Sequence, residues 1–412
     1  MVKYKPVGAS ILTNLDCNLN CSYCYEHNKH SKVNSEDKVL EFIEFIYRKT
    51  FIENGKNSKV NFHLIGGEPF VHPDLIELIC TKALEMNNYY GIYNLPSIYI
   101  STNGTLIHIP KILNNIIIKF KDILKLGFSI DGIKETHDKY RKDLFGNNTW
   151  DQSIKNLKLA LNILGPERCG CKCTYSHSTI NSWHEGVKTL IDLGVRQLNA
   201  NYITEEIWPE EEAPMIFNQF SKTIDYIFDK DLYDKVKISQ LSNGPVQLAV
   251  NFSIANDGST HCRTCNSIKN KLCLGFDGLL YPCHRFASLN DPKFAIGSLE
   301  YGSAVLTNIK LKQQIDQFCT IASLPVKCQN CDLKYHCYTC SEAYFEKYSE
   351  NPCNALHTQD PPLCAWAIAI CAAKLYFRKK LRAMIGMDPD SEENIQLLKH
   401  ENLNNNMTLE KK

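Results

Sequence analysis

The 412-residue sequence has little charge of either sign left over: 46 Lys and Arg face 45 Asp and Glu, a formal net charge of +1. No global field therefore favours nucleic acid or an acidic membrane. Long hydrophobic runs are also missing. "NNIIIKF" at 114–120 and "CAWAIAICAAKLYF" from Cys364 are both too short to span a bilayer, so no membrane association is expected. The start, "MVKYKPVGAS", lacks the apolar stretch of a secretory signal, which points to a reducing, cytoplasmic setting and away from a disulfide framework. What the chain does have is cysteine, 19 residues, and in such a compartment these read as metal ligands plus a few buried thiols.

Twelve of the 19 cysteines lie beyond residue 260, and this asymmetry divides the chain. Before it, strand-like and helix-like segments alternate. "VGASILTN" (7–14), "SKVNFHLIG" (58–66), "SIYISTNG" (97–104), "KLGFSIDG" (125–132), "CGCKCTYS" (169–176) and "VRQLNANYI" (195–203) read as strands. Between them, helices are expected from Ser35 onward, where Val39, Phe42, Ile43, Ile46 and Tyr47 fall at helical spacing, and over 73–86, 149–164 and 182–194. Six strands alternating with helices predict an α/β fold with a parallel sheet. Six units cannot close an eight-unit barrel, so a partial, TIM-like (β/α)6 barrel is expected over 1–235. A cysteine-rich domain is expected over 236–375, and a helical or disordered polar tail over 376–412. Loops at the carboxyl ends of the strands should carry the site.

Cys17, Cys21 and Cys24 stand as Cys-x3-Cys-x2-Cys in "NLDCNLNCSYCYEH", a pattern whose chance expectation in so cysteine-rich a chain is roughly 0.04. Three thiolates on one loop leave one iron of a four-iron cluster without a protein ligand. A zinc site completed by His27 is the competing reading. Gly66, Gly67, Glu68 and Pro69 follow the second strand, where two residues without side chains let the backbone approach a ligand closely.

Together these residues resemble the radical S-adenosylmethionine (SAM) superfamily, with Tyr23 as the aromatic of Cys-x3-Cys-x-aromatic-Cys. The resemblance implies that the three cysteines hold a 4Fe-4S cluster and that Gly66–Pro69 bind the amino group of SAM. It further implies reductive cleavage of SAM to a 5′-deoxyadenosyl radical. "SIDG" (129–132), with His137, Asp138 and Arg141 behind it, is similar to that family's fourth-strand signature and implies Ser129 and Arg141 as SAM-binding residues. Asn103 in "STNG" is a further candidate, although Asn-Gly is also a common turn. His63 and Asp131 are candidate catalytic residues. For His63 the competing reading is a satisfied core histidine.

The later cysteines resemble a SPASM domain, which carries two auxiliary 4Fe-4S clusters on a Cys-x9-15-Gly-x4-Cys, Cys-x2-Cys-x5-Cys-x3-Cys, late-Cys pattern. Carried over, Cys328, Cys331, Cys337 and Cys364 hold the outer cluster, and Cys283 and Cys340 belong to the inner one. Two departures stand out: the final pair is Cys337-x2-Cys340, and three cysteines precede Gly278. Cys262 and Cys265 suit the spacing as inner-cluster ligands, with Cys273, too close to Gly278, in reserve. Cys169, Cys171 and Cys173 alternate along a strand and read as one buried face.

The family resemblance implies an enzyme that modifies a ribosomally made peptide or protein, forming a crosslink such as a thioether or carbon–carbon bond. It would draw electrons from a donor such as flavodoxin or ferredoxin. The first alternative is a formylglycine-generating sulfatase maturase, in which an Asp follows the Cys of Gly-x4-Cys; His284 stands there instead. The second is a non-catalytic metal-binding interaction module.

Overall fold

The computed structural model describes residues 8–26, 29–203, 206–241, 271–318, 326–331, 333, 364–384, 386 and 388. The six expected strands form as β1 (Gly8–Leu12), β2 (Asn61–Ile65), β3 (Ser97–Thr102), β4 (Leu124–Ser129), β5 (Cys169–Tyr175) and β6 (Gln197–Tyr202). They pair in parallel and in sequence order, with Ser10 opposite His63, His63 opposite Tyr99 and Phe128 opposite Cys171.

Strict alternation sorts their side chains. Phe62, Leu64, Ile98, Ile100, Leu126 and Phe128 are buried under the helical layer, where Tyr47 of helix α1 (Glu36–Asn54) lies 6.2 Å from Phe62, ring to ring. His63, Tyr99 and Ser101 take the opposite, inner face, where His63 touches both of the others. Cys169, Cys171 and Cys173 are all buried on the outer face, as their alternation predicts. Helix α2 (Pro73–Tyr90) runs four residues past its expected end. Its polar last turn stays helical until Gly91, at φ 60°, receives the cap in the left-handed region.

The sheet is wider than the sequence pattern implies. A short strand β7 (Lys237–Ile238) pairs with β6, and β8 (Lys271–Leu274) pairs in parallel with β1. From β8 an antiparallel meander continues through β9 (Leu279–Tyr281), β10 (Gly297–Glu300) and β11 (Ser303–Val305). Residues expected in a separate second domain thus extend the first domain's sheet at both edges. The helix Cys364–Met384 runs through residue 375, where the tail was expected to begin. It packs along the helix Ala213–Asp229: Tyr376 Oη donates to Asp225 at 2.8 Å, and the Phe228 and Phe377 rings lie 5.0 Å apart. No helix among the described residues is long and apolar enough to cross a membrane.

Candidate radical-generating site

The loop carrying Cys17, Cys21 and Cys24 leaves the carboxyl end of β1 and is held by three neighbouring strands. The turn after β2 is zipped to the chain entering the loop: Gly67 N donates to Asn14 O at 2.9 Å and Glu68 N to Asp16 O at 3.0 Å. A Cβ at Gly66 would fall 2.3 Å from Asn14 O, and one at Gly67 would fall 2.2 Å from Asp16 O. The close approach these glycines permit is thus first of all to the cysteine loop itself.

Glu68 is fully buried and turns toward β3. Its carboxylate accepts from Asn103 N at 2.6 Å, Thr102 Oγ1 at 2.8 Å and Phe70 N at 3.2 Å. Burial nevertheless raises its carboxyl to about 7. Asn103 carries the connection onward, donating to Asn18 Oδ1 at 2.8 Å with its amide 3.9 Å from Cys17 Sγ.

From β4 comes Asp131, with no exposed surface. It accepts from Arg141 Nε at 2.8 Å, Arg141 Nη2 at 3.3 Å, Thr174 N at 2.8 Å and Tyr23 Oη. Two arms of the Arg141 fork are therefore engaged by Asp131, and the third, Nη1, lies 3.9 Å from Cys21 Sγ. Tyr23 packs under the same guanidinium, 5.2 Å from ring centre to Cζ. His137 Nδ1 accepts from Asp131 N at 3.3 Å, while Asp138 accepts from Thr149 N and Trp150 N, both at 3.0 Å, at the start of the helix Trp150–Leu164. The Ser129 side chain, partly exposed at the end of β4, has no hydrogen-bond partner among the described residues.

The three thiols are free and half-buried. Leu19 N donates to Cys17 Sγ at 3.4 Å, so each of Cys17 and Cys21 has N–H groups aimed at its sulfur. Burial raises Cys17 to about 12 and raises Cys21 as well. Among the described residues no three His, Cys, Asp or Glu side chains converge on a single-ion site. Three thiols on one loop are the donor set of a 4Fe-4S cluster with one iron left open. His27, the proposed fourth zinc ligand, lies outside the described residues.

The sheet extension brings the later cysteines close. Cys283, buried after β9, precedes the short helix His284–Ser288. The β8–β9 pairing, with Cys273 opposite Tyr281, sets Cys273 beside Cys283: burial and then the Cys283 charge raise its thiol. Sequence spacing had kept Cys273 in reserve, and only this antiparallel register reveals the proximity. Cys328, Cys331 and Cys364 share one neighbourhood, since burial and then Cys364 and Cys331 raise Cys328 to about 11. Cys262, Cys265, Cys337 and Cys340 lie outside the described residues.

His284 points into the barrel, its ring 5.8 Å from that of His63. His63 Nε2 meets Ser101 Oγ at 2.8 Å, and burial, then Lys271 and Lys172, lower it to about 4. His63 thus lies on the inner face of the sheet with Ser101 as its partner. Beneath the loop, Glu26 accepts from Ser288 Oγ at 2.5 Å and Tyr25 stacks on Arg285 at 4.8 Å. The residues after the first cysteines thereby rest on the helix that follows Cys283, a junction that no sequence motif indicates.

Residues 11–197 match the radical SAM superfamily. The chain carries a radical SAM domain. It is 31% identical over 151 residues to the cysteine-type anaerobic sulfatase-maturating enzyme of Clostridium novyi, covering 35% of this chain and 37% of that one. It is 23% identical over 207 residues to the antilisterial bacteriocin subtilosin biosynthesis protein AlbA of Bacillus subtilis, covering 48% and 40%. The alignments thus span well under half of either relative. A solved structure of anSMEcpe with bound AdoMet and Cp18Cys peptide shares the fold over 92% of this chain and 98% of that one, with a TM-score of 0.62 and 18% identity. The family match ends at residue 197, within β6.

Proposed function

We propose that this enzyme modifies a ribosomally made peptide or protein, closing a crosslink such as a thioether or carbon–carbon bond. The carrying observation is the cysteine loop, clamped by the Glu68–Asn103 and Asp131–Arg141 pairs at one rim of the barrel, with Cys328, Cys331 and Cys364 gathered elsewhere in the same chain. In this reading Cys17, Cys21 and Cys24 hold one 4Fe-4S cluster. Cys328, Cys331, Cys337 and Cys364 hold the outer auxiliary cluster, and Cys262, Cys265, Cys283 and Cys340 the inner one. Cluster and SAM, when bound, supply a carbon radical that takes a hydrogen atom from the substrate. The chain's own work is to orient and exclude. Backbone groups of Gly66–Pro69 and the Ser129 hydroxyl would hold SAM, and Asp131 fixes Arg141 and Tyr23 against the cysteine loop. His63 and His284 line the interior where a substrate side chain would lie. Relatives named for sulfatase maturation and subtilosin biosynthesis support the peptide substrate, and a reducing cytoplasmic compartment suits such clusters.

Co-expression with short open reading frames adjoining its gene tests this: a crosslinked product loses two hydrogen atoms and resists separation of its joined residues on fragmentation. If anaerobically purified enzyme modifies none of these peptides, the reading fails. Sulfatase maturation is the second reading, favoured by the similarity to the Clostridium novyi enzyme. Against it, the residue delivered into the barrel after Cys283 is an imidazole, His284, and no carboxylate. Formation of formylglycine in a sulfatase peptide would decide for it.

A further inference from the structure

The chain between Arg141 and Thr149 is a small β-hairpin, closed by a bridge between Lys142 and Asn148. Its tip presents two apolar side chains to water: Leu144 is 62% exposed and Phe145 90%. The tip is rigid. The Asp143 carboxylate accepts from Phe145 N at 2.8 Å, Asn147 N at 2.8 Å and Asn147 Nδ2 at 2.9 Å, while Asp143 N donates to Asn147 O at 3.0 Å. An aromatic ring held out in water by a fixed loop is the arrangement of a binding anchor, since little conformational freedom remains to be lost on contact.

The hairpin's base is the outer wall of the cysteine loop. Leu19 bridges Asp143, Asn20 N donates to Lys142 O at 2.8 Å and Ser22 N donates to Tyr140 O at 3.1 Å. Those bonds flank Cys21 on both sides, and Arg141, between the two acceptors, reaches its sulfur. Asn20 and Ser22 are exposed, so the loop comes to the surface here. Three lysines lie at or beside the hairpin base. Lys142 lies at the hairpin base, Lys139 one residue before Tyr140, and Lys29 donates to Leu19 O at 2.9 Å. The one carboxylate of the hairpin, Asp143, is turned inward onto its own amides.

We propose that this hairpin, with Phe145 as anchor and Lys29, Lys139 and Lys142 around it, docks an acidic one-electron carrier protein and delivers its electron to the cluster at Cys17, Cys21 and Cys24. The inference rests on the radical SAM site described above. In the step, one electron leaves the carrier, which is oxidised by one equivalent, and enters the cluster, which is reduced by one; no bond forms or breaks. Complementary charge would speed encounter. The backbone bonds between Asn20 and Lys142 and between Ser22 and Tyr140 join the hairpin directly to the loop that carries Cys21.

The test uses the anaerobic holoenzyme with an acidic flavodoxin as probe. Calorimetry should show Phe145→Ala weakening flavodoxin binding by about tenfold. Lys142→Glu should weaken it further at low salt, with the difference fading at high ionic strength. Release of 5′-deoxyadenosine driven by flavodoxin should fall in both variants, while release driven by dithionite stays at the wild-type level. Unchanged flavodoxin affinity in Phe145→Ala overturns the proposal. So does an equal loss with dithionite, which would make the hairpin a support of the cluster, or normal flavodoxin binding with weakened peptide binding, which would make it a substrate contact. If the wild type releases no 5′-deoxyadenosine even with dithionite, the functional reading falls, and the affinity comparison still judges the docking site by itself.

Discussion

Asp131→Asn removes a charge and keeps the shape, and the structure says what that should cost. The carboxylate receives four donors, two from Arg141, one from Thr174 N and one from Tyr23, in a site with no solvent exposure, while the Arg141 side chain is 9% exposed. An asparagine offers one acceptor atom and turns the other into a donor, so at least two of the four donors lose their acceptor and the guanidinium stays buried without its counter-charge. Breaking a buried pair by neutralising one partner costs about 3–5 kcal/mol. Chemical denaturation of the iron-free protein under anaerobic conditions should show that loss. Because Arg141 and Tyr23 both bear on the cysteine loop, iron retained per chain should fall too. The internal control is the double variant Asp131→Asn, Arg141→Leu. With no charge left unpaired, it should be more stable than Asp131→Asn alone. If Asp131→Asn lies within about 1 kcal/mol of wild type, or the double variant loses the sum of its parts, the pair does not clamp the loop as argued.

Replacing Cys17, Cys21 and Cys24 together by Ala should remove about a third of roughly twelve irons, four for each of three clusters, and abolish SAM cleavage; iron analysis and product chromatography measure both. Gly67→Ala drives a methyl group against the backbone at Asp16 O, an overlap neither side can relieve by rotating a side chain, and should cost about 2 kcal/mol or more in denaturation experiments. Glu68 gives a pH signature. Its carboxyl rises from 4.5 to about 7 through burial, so the folded chain holds a proton that the unfolded chain releases. Its contribution is complete below the unfolded value and is lost as pH rises through about 7. Urea midpoints of Glu68→Gln, which has no proton to lose, should gain on wild type between these limits and run parallel above them.

Where side chains alternated over five or more residues, the sequence was enough. All six strands of the barrel and the helices at 36, 73, 150 and 183 appear within a few residues of their expected ends. β7, β9 and β11 have only two or three residues each, too few for a period to register, and the same brevity hid the attachment of β8 to β1. The site was legible as a set of residues more than as a set of contacts. Asp131 and Arg141 are ten residues apart across a turn and a helix, and nothing in their spacing says that the arginine grips the aspartate and not a ligand. "GGEP" suggested a backbone open to SAM. The crowding of Gly66 and Gly67 against residues 14–16 is a tertiary fact that needs the neighbouring strand in place.

The attachment of β8 bears on how far similarity to sulfatase-maturating enzymes reaches. By extending the sheet at β1, β8 and β9 fix where Cys283 follows the strand end at Tyr281, and the next residue turns into the barrel beside His63. The fold therefore turns that position toward the interior whichever residue occupies it, and here it is a histidine. Burial first, then the positive charge of His63, Lys172, Lys271 and Arg285, lowers His284 and disfavours its imidazolium. A carboxylate in its place would be drawn toward its charged form by Lys172 and Lys271 and away from it by the same burial. A neutral imidazole is a weaker base in this setting. The cysteine loop and its clamps lie within the radical SAM match at residues 11–197, whereas His284 reaches the ring of His63 from the sheet extension beyond it.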